Sequence, residues 1–315
     1  MSRLTEKKII DIFQSTLNDK FVSEDVEYFK IGKKYFVLKI DTLVESTDMP
    51  KNVGLQYIAR KSIISCISDF AAKGVKPIFG IVSVVLPRKL SKKKIEDLAL
   101  GFGKASKEFG IKILGGDTNE GKEISISFTL FGITNKIIKR KGAKLNDIII
   151  SSGPFGYSSA GLSILQRKKK YSQSFGIKAK NAVINPNSRL MFGLKNKNYF
   201  SSSMDSSDGL STTLEELARQ SKRKFIITNV PAKADIFDFA AANRLNAMNL
   251  IFNGGEEYEI IATVNPSNLT KIKKYAKIHH IQLYEIGYVT KGNGVYLQKN
   301  GRFMKIKDKG WHHFR

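Results

Sequence analysis

An α+β chain built from two α/β halves is what this sequence predicts, and three observations predict it. At 315 residues the chain is long for a single hydrophobic core, so two domains are expected. Strand-like runs and amphipathic helical stretches alternate from one end to the other. Both halves place acidic residues where an apolar run meets glycine, serine or threonine.

Residues 4–17 carry Leu4, Ile9, Ile12, Phe13 and Leu17 near helical spacing, which predicts an opening amphipathic helix. Strand-like runs at 26–31 and 35–40 flank Gly32-Lys33-Lys34, a hairpin signal. Asp25 stands before the first strand and Asp41 after the second, so a hairpin makes them neighbours. Two such carboxylates repel and raise each other's pKa, a conflict that a divalent cation resolves. Residues 53–74 read as one helix stopped by Gly74, with Asp69 among small and apolar neighbours. An acid in that setting is hydrogen-bonded in place or functional.

A strand follows at 78–86, then a charged helix at 91–109. Gly101-Phe-Gly-Lys104 inside that helix resembles a phosphate loop only superficially, because a Walker A needs a glycine at position 98, which is Leu. The apolar run 111–114 reads as a strand that stops at Gly115-Gly116, leaving Asp117 at its open end, where α/β proteins bind ligands; a plain Gly-Asp turn is the alternative. Residues 123–133 alternate with period two. The composition turns polar and basic around 136–144, and the domains are placed at 1–137 and 138–315.

The second half opens with a strand at 147–151 and a small-residue turn, Gly153-Pro-Phe-Gly-Tyr-Ser-Ser-Ala-Gly161, into a helix. A strand at 201–204 leads into Asp205-Ser-Ser-Asp-Gly-Leu-Ser-Thr-Thr-Leu214, where Ser207 or Asp208 either caps the next helix or serves the site. Asn253-Gly-Gly-Glu-Glu-Tyr-Glu259 opens a strand at 260–264. A helix around 269–276 and strands at 280–289 and 294–297 precede the tail Lys309-Gly-Trp-His-His-Phe-Arg315.

A hydrophobic content of 42% with 20 Phe and 11 Tyr is enough for two cores. The single cysteine, Cys66, forms no internal disulfide and reads as core packing in a reducing compartment. No apolar run is long enough to span a membrane, and the N-terminal Met-Ser-Arg-Leu-Thr-Glu-Lys-Lys lacks a signal-peptide hydrophobic region; a soluble cytoplasmic protein is expected. The net charge of +25 raises a nucleic-acid reading. Its runs (92–94, 139–141, 167–170, 222–224) are scattered and match no nucleic-acid motif, and basic surface also suits phosphorylated substrates.

Asp25, Asp41, Asp69, Asp117, Asp205 and Asp208 form a set of hard oxygen ligands suited to Mg²⁺ and phosphate. Zinc has no support: Cys66 is alone, and His279-His280 and His312-His313 lack ligand spacing. No nucleophile elbow or kinase catalytic loop is present. Multi-carboxylate, Mg²⁺-dependent phosphate chemistry is the class these residues favour.

Asp41-Thr-Leu-Val-Glu45, Ile67-Ser-Asp-Phe-Ala-Ala-Lys-Gly74, Gly115-Gly-Asp-Thr118, Ser207-Asp-Gly-Leu210 and Gly254-Gly-Glu-Glu-Tyr-Glu259 resemble, in order, the motifs of thiamine-monophosphate kinase. The resemblance implies that ATP and Mg²⁺ convert thiamine monophosphate to thiamine diphosphate. It implies a homodimer whose N-terminal sheet domains join into a barrel, each followed by an α/β sandwich domain. It further implies that the six aspartates hold several Mg²⁺ ions, with Asp117 and Asp208 at the reacting phosphate. Gly116, Arg140 and Ser207 fall on nucleotide-phosphate positions, and Asp48, Glu256 and Trp311 on substrate positions. The chain departs from the family pattern at Lys39-Ile40, where Ser-Thr is usual, at Asp48 where His is usual, and at Glu257 where Asp is usual.

A phosphate monoester is itself an anionic nucleophile, with a second pKa of about 6, so the reaction requires no protein general base. Trp311 and Glu256 are groups that would attract a thiazolium cation. Aminoimidazole ribonucleotide synthetase resembles the chain in architecture and is the enzyme alternative. Selenophosphate synthetase and the hydrogenase maturation protein carry cysteines that this chain lacks. A basic nucleic-acid-binding protein is the alternative from another class, and it predicts affinity that falls steeply with salt.

Overall fold

The computed structural model describes residues 4–17, 21–166 and 169–314. Met1 to Arg3 of the N-terminal reading, Arg167 and Lys168 of one basic run, and Arg315 of the tail lie outside them. The first half runs α1 (Glu6–Leu17), β1 (Glu27–Ile31), β2 (Lys34–Val44), α2 (Glu45–Asp48), α3 (Leu55–Lys73), β3 (Lys76–Pro87), α4 (Lys92–Phe109), β4 (Lys112–Gly121) and β5 (Ser125–Thr134). The second runs β6 (Ile148–Ser151), α5 (Tyr157–Gln166), α6 (Gln173–Ile184), α7 (Leu190–Asn196), β7 (Phe200–Ser206), α8 (Leu210–Ser221), β8 (Lys224–Ile227), α9 (Ala234–Ala242), α10 (Ala247–Phe252), β9 (Glu259–Val264), α11 (Pro266–Ile278), β10 (Tyr284–Thr290), β11 (Gly294–Lys299) and β12 (Arg302–Lys305).

The strands form a sheet of order β1-β2-β5-β3-β4 and a second of order β12-β11-β8-β10-β6-β9-β7. The hairpin read at 26–40 is β1 and β2, paired antiparallel with Glu27 opposite Leu38, and Gly32 takes the left-handed turn position at φ 57°. The alternation of β5 places Ile126, Phe128 and Leu130 in the core, and its other side chains on the opposite face. β3 and β4 are parallel and joined through α4.

Helix α3 is buried almost all round because it lies between the two sheets. The cluster around it joins Val37, Ile126 and Phe128 of the first sheet to Ile260, Ala262 and Val264 of the second. Gly193 of α7 permits the closest approach there: a Cβ on it would sit 1.9 Å from the carbonyl oxygen of Ala71. Gly101 does the same work between α3 and α4, so the pseudo-phosphate loop is a packing glycine against Gln56. A second cluster, around Phe155, Leu214, Phe225 and Ile261, fills the other side of the larger sheet.

Three sequence expectations change. Strand β4 does not stop at Gly115-Gly116 but continues to Gly121, with a register irregularity where β3 passes from Gly80 to Val82. The glycines serve close approach rather than termination, since a Cβ on Gly116 would overlap the carbonyl oxygen of Val82. Neither Ser207 nor Asp208 caps α8, whose N-cap is Gly209 with no side-chain bond. Helices α9 and α10 and strand β12 lie in stretches where no element was expected. Helix α1 forms, but Ile10, Ile12 and Phe13 on it remain exposed. Among the described residues, no helix is long and apolar enough to cross a membrane.

Candidate active site

Three elements bring buried carboxylates together between the sheets. Asp25 precedes β1, Asp69 lies near the end of α3, and Asp205 lies in β7; ligand oxygens of the three fall within 4.8 Å of one another. Their charges are unequally compensated. Burial alone would push the Asp25 carboxyl up, but Lys73 and Arg140 outweigh it and hold the group below the usual range. Lys73 Nζ is 2.9 Å from Asp25 and 2.8 Å from Glu24, and Arg140 Nε donates to Asp25 at 2.6 Å. Burial pushes Asp69 well up; Lys39 opposes this, and Asp205, Asp41 and Asp25 reinforce it. Burial and the nearby Asp25 push Asp205 up to about 6, although the Ser68 hydroxyl donates to it.

Asp69 opens onto a cavity of about 1800 Å³ that Asp41, Asp48, Ser207, Asp208, Glu256 and Trp311 also line. The loop before β9 is tied to the end of β7, with Glu256 N–H donating to Ser207 O at 2.6 Å. Glu256 sits at φ 64° and Tyr258 at φ 54°, left-handed conformations that non-glycine residues adopt at a price in strain and that cluster at functional sites. Trp311 N–H donates to Asp208 O at 2.8 Å, which pins the tail to the cavity wall and leaves the indole half-exposed. Burial and Glu6 push the Asp208 carboxyl up.

Several expected residues are placed otherwise than a simple cluster requires. Asp117 is exposed, accepts from Asn119 Nδ2 at 2.7 Å, and pairs in register with Ser83. That register continues through Ser127 to Thr42 across the outer face of the first sheet, opposite the face that packs on α3. Gly116 precedes it on the same strand. Arg140 is engaged with Asp25 and Glu216. Asp48 turns its carboxylate back to Val44 N–H at 2.7 Å and to the Thr47 hydroxyl at 2.9 Å.

Sequence reasoning missed the lysines. Lys61 is buried, pairs with Glu256 and donates to Asp48 O at 3.0 Å, so the carboxylate expected to draw a cation already has one. Lys39 lies 3.0 Å from Asp69 and 3.3 Å from Asp41. Lys73 is fully buried. The available signal was a lysine inside each apolar run, for which the sequence shows no partner. Glu257 Oε1 accepts from Gly156 and Ser158 N–H at 2.7 and 3.0 Å at the start of α5, a structural placement.

A buried acid triad between two sheets, reaching a large cavity through Asp69, defines the class to which the comparisons also point. Residues 23–134 match the family model described as AIR synthase related protein, N-terminal domain. The chain is 54% identical over 315 residues to the thiamine-monophosphate kinase of Nitrosopumilus maritimus, covering 100% of both chains. It is 28% identical to that of Pyrococcus horikoshii, covering 100% of this chain and 98% of that one. The solved structure of AaThiL complexed with AMPPCP and TMP aligns with TM-score 0.89 at 27% identity, covering 100% of this chain and 99% of that one. The chain belongs to the thiamine-monophosphate kinase family.

Proposed function

We propose that this chain transfers the γ-phosphoryl group of ATP directly to thiamine monophosphate, yielding thiamine diphosphate and ADP. The observation that carries the reading is the buried triad Asp25, Asp69 and Asp205, of which Asp69 lines a cavity that Glu256 and Trp311 also line. The related AaThiL structure, complexed with AMPPCP and TMP, supports the pair of substrates.

The donor set fits Mg²⁺: three buried carboxylates within 4.8 Å, two of them with raised pKa, form a site where a hard divalent cation relieves repulsion. Asp69 and Asp205, with Asp25, Asp41 and Asp208 around them, would hold it. When bound, Mg²⁺ neutralises phosphate oxygens as charge moves between them. The chain's own work is alignment. The Ser207–Glu256 backbone bond and the Trp311–Asp208 bond fix the substrate side of the cavity relative to the acids. No side chain need remove a proton, because the attacking phosphate is already anionic. Trp311 and the face beside Glu256 would select for the cationic ring.

The reading includes a homodimer. Phe29, Phe36, Phe131 and Phe79 follow one another across the outer face of the first sheet, at centroid distances of 5.5, 6.0 and 4.6 Å, with exposed Ile40 and Ile81 beside them. A second copy covering this face closes a barrel and makes 1–137 the pairing lobe, with 138–315 completing each site. Asp117 stands on that same face, so its part in phosphate binding requires the second copy, whereas Gly116, in register with Val82 and Phe128, belongs to the face that packs on α3. Arg140 would reach nucleotide only by leaving Asp25.

Incubation with γ-labelled ATP, Mg²⁺ and thiamine monophosphate tests the reading. Label in thiamine diphosphate with one ADP per product supports direct transfer. Phosphate release without thiamine diphosphate refutes it.

A further inference from the structure

Five other basic groups are paired without joining two of the cavity-lining acids: Lys73 holds Glu24 and Asp25, Arg140 holds Asp25 and Glu216, Lys61 holds Glu256, Arg189 holds Glu259, and Arg219 holds Glu216. Lys39 is different. It projects from β2 on the same face as Asp41 two residues on, and its ammonium lies 3.3 Å from Asp41 Oδ1 and 3.0 Å from Asp69 Oδ2 of α3. Burial would strip the proton from Lys39, but Asp69 and Asp41 outweigh it and hold the ammonium well above the usual lysine range. Its charge also acts on Asp205 and Asp208. The side chain is 20% exposed, and the residue lines the same cavity as Asp41, Asp69 and Asp208.

An ammonium bridging carboxylates from two elements, at the wall of a phosphate-handling cavity, stands where a bridging divalent ion would stand. We propose that Lys39 is a resident cation of this site: it joins Asp41 to Asp69 and excludes a divalent ion from the position between them, leaving the metal-holding role to Asp69 with Asp25 and Asp205. A single tethered charge satisfies the two carboxylates at no dehydration of a metal ion. Lys39 is therefore a positioning residue for Asp41 and Asp69. The inference rests on the Mg²⁺ reading above, but its test uses neither ATP nor thiamine monophosphate, so a failure of the kinase reading would show separately.

The test counts Mn²⁺ bound to the full chain by electron paramagnetic resonance. Lys39→Ser and Lys39→Met should each bind one more Mn²⁺ per chain than the unaltered protein, and Lys39→Arg should bind the same number as the unaltered protein. Equal counts in folded Lys39→Ser, Lys39→Met and unaltered protein overturn the proposal. Crystals of the unaltered protein soaked in Mn²⁺ decide it even where the variants fail to fold. The proposal expects no anomalous peak between Asp41 and Asp69, and a peak ligated by both of them overturns it.

Discussion

The hydroxyl of Ser68 donates a 2.8 Å hydrogen bond to Asp205 Oδ2, joining helix α3 to strand β7 across 137 residues of chain. The next residue after Ser68 is Asp69, so this bond sets the two acids against each other. Replacing Asp205 by Asn keeps an acceptor for Ser68 and removes a buried charge. The folded Asp205→Asn protein should melt in EDTA at or above the temperature of the unaltered chain, while its affinity for Mg²⁺ falls at least about tenfold, or roughly 1.4 kcal/mol. Thermal melts across a Mg²⁺ titration measure both; an undiminished Mg²⁺-dependent shift removes Asp205 from the metal set. Since proton and cation compete for a group pushed up to about 6, the Mg²⁺ shift of the unaltered protein should fade below that pH.

Asp117 is exposed on the outer sheet face, so Asp117→Asn should leave stability within about 0.5 kcal/mol. Turnover should nearly vanish. If the site is shared across a dimer, mixing Asp117→Asn with Asp69→Asn chains restores activity. Half the dimers are then mixed and each has one intact site, which gives about a quarter of full activity. Steady-state assays of the mixture read this, and a mixture as inactive as its parents places both residues in one chain's site.

Trp311 is 52% exposed, which leaves little packing to lose. Trp311→Ala should raise the KM for thiamine monophosphate roughly ten- to thirtyfold, about 1.4 to 2 kcal/mol for a cation–π contact. The KM for ATP should hardly move. An equal loss for both substrates, or a lowered melting point with unchanged kinetics, would make the indole a packing residue.

Burial pushes Glu257 up to about 8 from an ordinary 4.5; the Ser158 and Gly156 N–H groups oppose this, and Glu259 and Glu256 reinforce it. The folded state therefore holds this proton more tightly than the unfolded chain. The stability so gained is complete below 4.5 and is lost as pH rises through about 8. Glu257→Gln, which keeps the acceptor for α5, should be less sensitive to pH. Its melting temperature should gain on the unaltered protein as pH rises from about 5 to about 8, and parallel melting curves would show that Glu257 titrates normally.

The sequence by itself determined what is local. The hairpin at Gly32, the helix ended by Gly74, the alternation of β5 and the order of the acidic motifs depend on chain neighbours and on side-chain period, which a single strip of residues carries. It therefore identified Asp25, Asp69 and Asp205 as candidates without showing that their oxygens meet within 4.8 Å. The tertiary structure alone decided which charges are compensated. Lys39 reaches Asp69, Lys61 reaches Glu256 and Lys73 reaches Asp25 across folds of the chain, and the energy of each pair depends on distance and burial that no residue encodes alone. It also decided the face of Asp117. A register irregularity between β3 and β4 lies just before it, and in a strand a shift of one residue moves every side chain to the opposite side.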